Sequence, residues 1–247
     1  MTKIIGLILT LATLIVLSAY WKSKENGRPD GSDGSVVAAT TSFNGGSQSP
    51  EDKTKELVGV DRMAPAVDPS LSPFSHLPAV RDGLPFENDP FVAESVDEQK
   101  WLDRNGYPNS EQWRAYSAAT DSMLQLAAEN GDKIAGVVMD SRALATGDKG
   151  AVDRLFYAAE EGSMFALSLL QAYMAASPNG DRELAYAISI VMEMKGDTRA
   201  ALARDFAFPQ PLSAQERMRG ESIALQLHKQ LKSNTKSPKF VDPRPFP

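Results

Sequence analysis

The chain has 247 residues, 42% of them hydrophobic and 23% charged, a balance that lets a globular core form. Its net charge of −6 argues against a nucleic-acid binder, which carries clustered Lys and Arg. It has no cysteine, which removes disulfides, thiolate metal sites, a cysteine nucleophile and lipid attachment through an N-terminal cysteine.

Residues 1–3 form a short flank, and Ile4 to Trp21 then runs without a charge as IIGLILTLATLIVLSAYW. Eighteen residues at about 1.5 Å each span about 27 Å, close to the roughly 30 Å hydrocarbon core. Tyr20 and Trp21 stand where an interfacial aromatic belt belongs, followed by Lys22 and Lys24. The expectation over 4–21 is a transmembrane anchor. The rival is a signal peptide, with Lys3 as its basic start and cleavage near Ser18 and Ala19. An anchor ahead of a long soluble region places that region on the exported side, so the expected location is the inner membrane of a bacterium with a periplasmic domain.

From Lys22 the composition turns to Gly, Ser, Asp and Pro, which cannot bury enough surface to offset its ordering entropy. Residues 22–93 are expected to be a disordered linker. Its later part, from Met63 to about Pro90, spaces Phe74, Leu77, Leu84 and Phe86 between prolines, with Phe91 just beyond. The alternative for that strip is an extended segment that docks on the folded domain or on a partner.

Residues 94–234 read as helical nearly throughout, with no credible strand. Asn109 and Gln112 make a capping-box pair ahead of a helix expected to run to Gly131. A second helix is expected from about Asp132 to Ala145, and a third from Val152 to Gly162. The fourth, SMFALSLLQAYMAA, is apolar almost all round and should be the most buried. A fifth runs from Arg182 to Lys195, and a shorter one ends at Phe208 before Pro209 and Pro211. Ser213 and Glu216 open a last helix to about Lys232, again as a capping box. Residues 235–247 form a proline-rich extended tail.

Three stretches repeat: AAENGDKIA, AAEEGSMFA and MEMKGDTRA. Aligned on glycine they give Gly131–Ala135, Gly162–Ala166 and Gly196–Ala200, spaced by 31 and 34 residues. Each glycine falls where a helix should end in left-handed geometry, and each alanine falls in the first turn of the next helix, where a small side chain permits close approach. A period of this length, made of two helices and two turns, predicts an all-α fold, a short α/α solenoid.

On these residues the chain resembles the Sel-like repeats, relatives of the tetratricopeptide repeat, with AAEEGSMFALSLLQAY from Ala158 to Tyr173 as the best match. The resemblance covers roughly Leu124 to Ala203. It departs from the pattern where a Leu-Gly pair is usual: Val138–Met139, Leu169–Leu170 and Ala203–Arg204 stand there. It implies a scaffold for protein contacts, common in bacterial envelope and signalling proteins, and carries over no catalytic residue.

The residues offer little chemistry. Of the two histidines, His76 lies in the Pro-rich strip and His228 in the last helix, so no zinc site has a starting pair. No phosphate-binding glycine loop and no G-x-S-x-G occurs. Glu221–Ser222 and Glu94–Ser95 contain the Glu–Ser dipeptide used by helical cell-wall lytic transglycosylases, but read as solvated helix positions because a general acid needs a desolvated site. Tyr157, Tyr173 and Tyr186 read as core fillers with a hydroxyl at the rim.

The expectation is therefore a non-enzymatic, membrane-anchored scaffold with no cofactor or metal and no nucleic-acid ligand. Its partner would be a protein or peptide, with Trp101, Trp113, Phe74 and Phe86 as candidate contacts. The competing expectations are a cell-wall-acting envelope enzyme and a secreted effector or inhibitor.

Overall fold

A computed structural model describes residues 68–178, 180–208, 210–232 and 242–244. The span expected at 4–21 and the linker up to residue 67 lie outside the described residues. No helix among the described residues is long and apolar enough to cross a membrane.

The described part is all-α, with nine α-helices and no strand among the described residues. They are α1 (Val96–Arg104), α2 (Ser110–Ala118), α3 (Asp121–Glu129), α4 (Lys133–Ala145), α5 (Gly150–Glu160), α6 (Met164–Ala176), α7 (Arg182–Met194), α8 (Ala200–Ala207) and α9 (Ala214–Lys232). Two 3-10 turns, Pro69–Leu71 and Phe86–Asn88, precede them.

The repeated corner is real and local. Gly131, Gly162 and Gly196 have φ of 92°, 103° and 104°, the left-handed region that side chains rarely adopt. In each, the next residue's N–H returns to a carbonyl five positions back: Asp132 to Ala127, Ser163 to Ala158 and Asp197 to Met192, all at 3.0 Å. This closes the outgoing helix. In the first two, the same residue then opens the incoming helix, because the Asp132 carboxylate accepts from the Ala135 N–H (3.0 Å) and Ser163 Oγ from Ala166 (3.1 Å). The alanines are sealed in: Ala135 and Ala166 have no exposed surface and Ala200 has 3%. A fourth copy hides in a stretch that reads as a plain loop. Gly147 has φ 95°, Asp148 bonds Ala143 at 3.0 Å, and Ala151 is fully buried.

These corners turn α4, α5, α6 and α8 back on their predecessors, while α7 follows a different turn at Ser177, so α3 through α8 pack in sequence, with α4 also on α6 and α6 on α8. Helix α6 buries Met164, Phe165, Ala166, Leu167, Leu170 and Met174, as its all-round apolar sequence requires. Helix α9 lies along α7 and reaches α5. Gly220 makes that approach possible, since a Cβ there would stand 2.6 Å from Tyr186 and 3.0 Å from the Glu183 carbonyl. Both expected capping boxes form: Asn109 with Gln112, and Ser213 with Glu216.

Four expectations are corrected. The single helix expected up to Gly131 is two, α2 and α3, because the Arg142 guanidinium takes the carbonyls of Tyr116, Ser117 and Ala119 while Thr120 caps α3. The linker expected to extend to residue 93 ends sooner. Residues 68–93 pack on the helices, with Phe74 8% exposed and edge-on to Tyr116 at 4.9 Å, and with Phe91 against Tyr107, Phe165 and Trp113. Burying a side chain such as Phe74 is worth roughly 1.5–3 kcal/mol, so these two aromatics drive the docking. Of the proline-rich extended tail expected over 235–247, the described residues 242–244 lie against the helices, with Asp242 and Arg244 buried at 4% and 7% exposure. Tyr157, read as a core filler, is 64% exposed, because it lies on the face of α5 opposite buried Leu155 and Ala159.

Gly220→Ala should cost about 1–3 kcal/mol in urea unfolding by forcing α9 off Tyr186. Gly162→Ala should cost about 1–2 kcal/mol from backbone strain alone, as nothing lies within 4 Å of its Cβ. The Glu216 carboxyl is held below the ordinary glutamate range, first by the Ser213 N–H and then by its hydroxyl. Its contribution is complete above the unperturbed value of about 4.3 and is lost as pH falls through the lowered one. Amide exchange at the start of α9 should therefore accelerate below about pH 4.3, and Glu216→Gln should remove that acid dependence.

Candidate functional site

The richest chemistry lies where the two non-helical segments meet the helices. Trp101 and Tyr107, 2% and 5% exposed, stack at 6.0 Å, and Phe91, Trp113 and Phe165 close the aromatic group. Tyr107 occupies this place because Gly106, at φ 71°, ends α1 and lets Tyr107 bond back to the Leu102 carbonyl.

Arg81, with no exposed surface, enters from the 68–93 segment. Its Nε donates to Asp89 Oδ2 at 2.6 Å and its Nη1 to Asp103 Oδ1 and to the Tyr107 carbonyl at 3.0 Å. Its Nη2 donates to the Pro108 carbonyl at 2.6 Å, and its own N–H donates to Asp103 Oδ2. A guanidinium's planar fork suits such a set, whereas an ammonium cannot serve so many directions at once.

Arg244 enters the same region from residues 242–244. Its Nη2 donates to Asp197 Oδ1 at 2.9 Å and to Asp242 Oδ2 at 2.6 Å, and its guanidinium carbon stands 4.3 Å from the Trp101 ring centroid. Tyr107's hydroxyl donates to Asp197 at 3.5 Å. Burial pushes the Asp197 carboxyl above its ordinary range against the pull of Arg244. Burial also opposes charge on Arg244, but the hydrogen bonds it donates to Asp242 and the charge of Asp197 outweigh it and leave the guanidinium raised. Burial, and then the Asp197 charge, drive the Tyr107 phenol well up, so it stays a proton donor. Chemically the arrangement holds cations.

Beside Asp89 runs a shallow groove of about 430 Å³ lined by Phe86, Glu87, Asp89, Val92, Ala93 and Glu94. Val92 has φ 57°, a conformation that strains a β-branched residue by about 1–3 kcal/mol. It is held there because Phe91 is packed on the core on one side and Ala93 is 2% exposed on the other. Asp89, fixed by Arg81, accepts the Phe91 N–H at 2.8 Å and closes the turn.

The residues expected to contact a partner divide. Phe74 and Trp101 are core residues and are withdrawn from any contact surface, because Phe74 is buried edge-on to Tyr116 and Arg244 covers the Trp101 ring. Trp113 is half-buried against Phe91 and Phe165. Phe86, 38% exposed, is at the groove's edge. The six corner residues Gly131, Ala135, Gly162, Ala166, Gly196 and Ala200 serve packing. Glu221 and Ser222 are exposed on α9, and Ser95 is occupied capping α1 through the Glu98 N–H. His76 is exposed and His228 half-buried. No group of three or more His, Cys, Asp or Glu is placed to hold a metal among the described residues. Sequence reading missed Arg81, Asp197 and Arg244. The only available signal was an arginine beside an aspartate in each proline-rich stretch, Arg81–Asp82 and Asp242–Arg244.

Comparison with protein-family models, curated proteins and solved structures returns no match to this chain.

Arg81→Met would leave two carboxylates buried without their cation and should cost about 3–5 kcal/mol in urea unfolding. Arg81→Lys should recover less than half of that, because lysine cannot bridge both aspartates and both carbonyls.

Proposed function

We propose that the chain is a non-enzymatic helical-repeat scaffold, tied to a bacterial inner membrane by residues 4–21, whose folded part binds a protein or peptide in the envelope. The observation that carries this reading is the corner built four times on one plan, with α4, α6 and α8 packed in a row. That plan is what an α/α solenoid related to the Sel-like repeats requires, since a two-helix unit cannot bury its apolar face alone. The described arginine–aspartate clusters support it further, because Arg81, Arg142 and Arg244 are engaged in holding segments together.

The contact surface is the Phe86 groove. Phe86 and Val92 offer apolar area, and Glu87 and Glu94 add carboxylates, so the partner's chemistry is a segment with a large apolar side chain next to Lys or Arg. A rigid, strained turn presents this surface already formed, which lowers the ordering cost of binding.

A photo-crosslinking residue placed at Phe86 in the full-length chain should yield a discrete adduct, and one placed at exposed Tyr157 should not. Phe86→Ala should weaken the captured partner's binding by about tenfold, equivalent to about 1.4 kcal/mol. Equal adducts at both sites would remove the groove from consideration. Intact mass of the membrane fraction should show a chain retaining residues 4–21, and a start at Ala19 or Tyr20 would replace the anchor with a secreted protein.

A further inference from the structure

The segment 242–244 sits in a place with the features of a receptor site. Five groups there come from elsewhere in the chain: the Asp197 carboxylate, the Trp101 ring face, the Gly196 carbonyl and the N–H and hydroxyl of Thr198. Each is met by the segment. Gly196 accepts from the Asp242 N–H at 3.1 Å, and Asp242 Oδ2 accepts from Thr198 N (3.2 Å) and Thr198 Oγ1 (3.1 Å). Asp197 takes Arg244 Nη2, and Trp101 receives the guanidinium face.

We propose that the Gly196–Arg199 corner, with Trp101 and Tyr107 behind it, is a recognition site for an extended peptide of the form Asp-x-Arg, and that residues 242–244 are its occupant in cis. The inference goes beyond the scaffold reading and does not rest on it.

Selectivity follows from the contacts. The arginine is read on two sides, by a carboxylate in its plane and by an indole on its face, a combination a lysine ammonium satisfies poorly. The aspartate two residues earlier has two jobs. It steadies the guanidinium through Nε (2.8 Å to each oxygen) and satisfies the amide of Thr198 in the turn that leads into α8. Pro243, between them, fixes one backbone dihedral in advance and lowers the ordering cost. Thus occupancy of the site is coupled to the turn at Thr198 that leads into α8. The connection through residues 233–241 gives the cis segment an effective concentration in the millimolar range, so a peptide in trans competes only when the cis segment is removed or released.

The test uses the chain ended after Lys232, purified in detergent, and a synthetic peptide of residues 239–247 followed by calorimetry. The truncated chain should bind one peptide saturably. Arg244→Lys and Asp242→Asn peptides should bind at least tenfold more weakly, as should the unmodified peptide to an Asp197→Asn chain. The intact chain should bind the peptide at least tenfold more weakly than the truncated one. A truncated chain that keeps its helical circular dichroism yet binds no peptide, or binds the Arg244→Lys peptide equally, overturns the proposal. If truncation unfolds the chain, a full-length chain with a protease site introduced at residues 234–238 decides. After cleavage the released segment should co-elute with the helices and be displaced by excess wild-type peptide alone. Separation of the cleaved segment in buffer, or displacement by the Arg244→Lys peptide, overturns it.

Discussion

Tyr107 is the residue on which the described structure turns, because both of its polar ends hold an arginine system. Its carbonyl accepts from Arg81, and its hydroxyl donates to Asp197, which in turn binds Arg244. One segment precedes the helices and the other follows them, yet both converge on the corner between α1 and α2. Were that corner to change direction, the carbonyls of Tyr107 and Pro108 would leave the Arg81 fork and the aromatic stack with Trp101 would open. Gly106 sets the direction, since its left-handed backbone bends the chain where any side chain would resist.

Charges buried this deeply are expensive, and their value lies less in net stability than in choosing one arrangement. A buried ion pair often breaks even against a hydrophobic substitute, whereas removing one member leaves an uncompensated charge. Here Arg81 and Arg244 each select a unique register for a proline-rich segment that could otherwise slide on an apolar surface. The aromatic contacts of Phe74 and Phe91 supply attraction without direction, and the guanidinium forks supply direction. Arg142 plays a related part by ending α2, so three arginines decide where segments stop and dock.

The helical body works by a different economy, in which one short instruction is reused. A glycine reverses the backbone, an Asp or Ser follows it, and an alanine lets the next helix come close. Because the bonds involved reach no further than five residues, each copy operates without knowing its neighbours. Stacking of α4, α6 and α8 is then a consequence of repeated turning angles and buried small residues. Helix α9 departs from this plan, lying along α7 where Gly220 leaves room beside Tyr186.

What was legible from residues alone was this short-range chemistry: three of the four glycine corners, two capping boxes and the all-α class. The break between α2 and α3 escaped because an arginine more than twenty residues away ends α2. The docking of residues 68–93 stood only as the alternative to a linker, and that of 242–244 escaped, for the same reason. Proline, aspartate and arginine in such segments spell a solvated linker until their partners arrive, and those partners stand 22 positions from Arg81 and 47 from Arg244. Sequence by itself determined the elements whose hydrogen bonds close locally. The tertiary structure decided which charges would meet, because an ion pair between distant residues exists only once folding has removed the water that otherwise satisfies each of them.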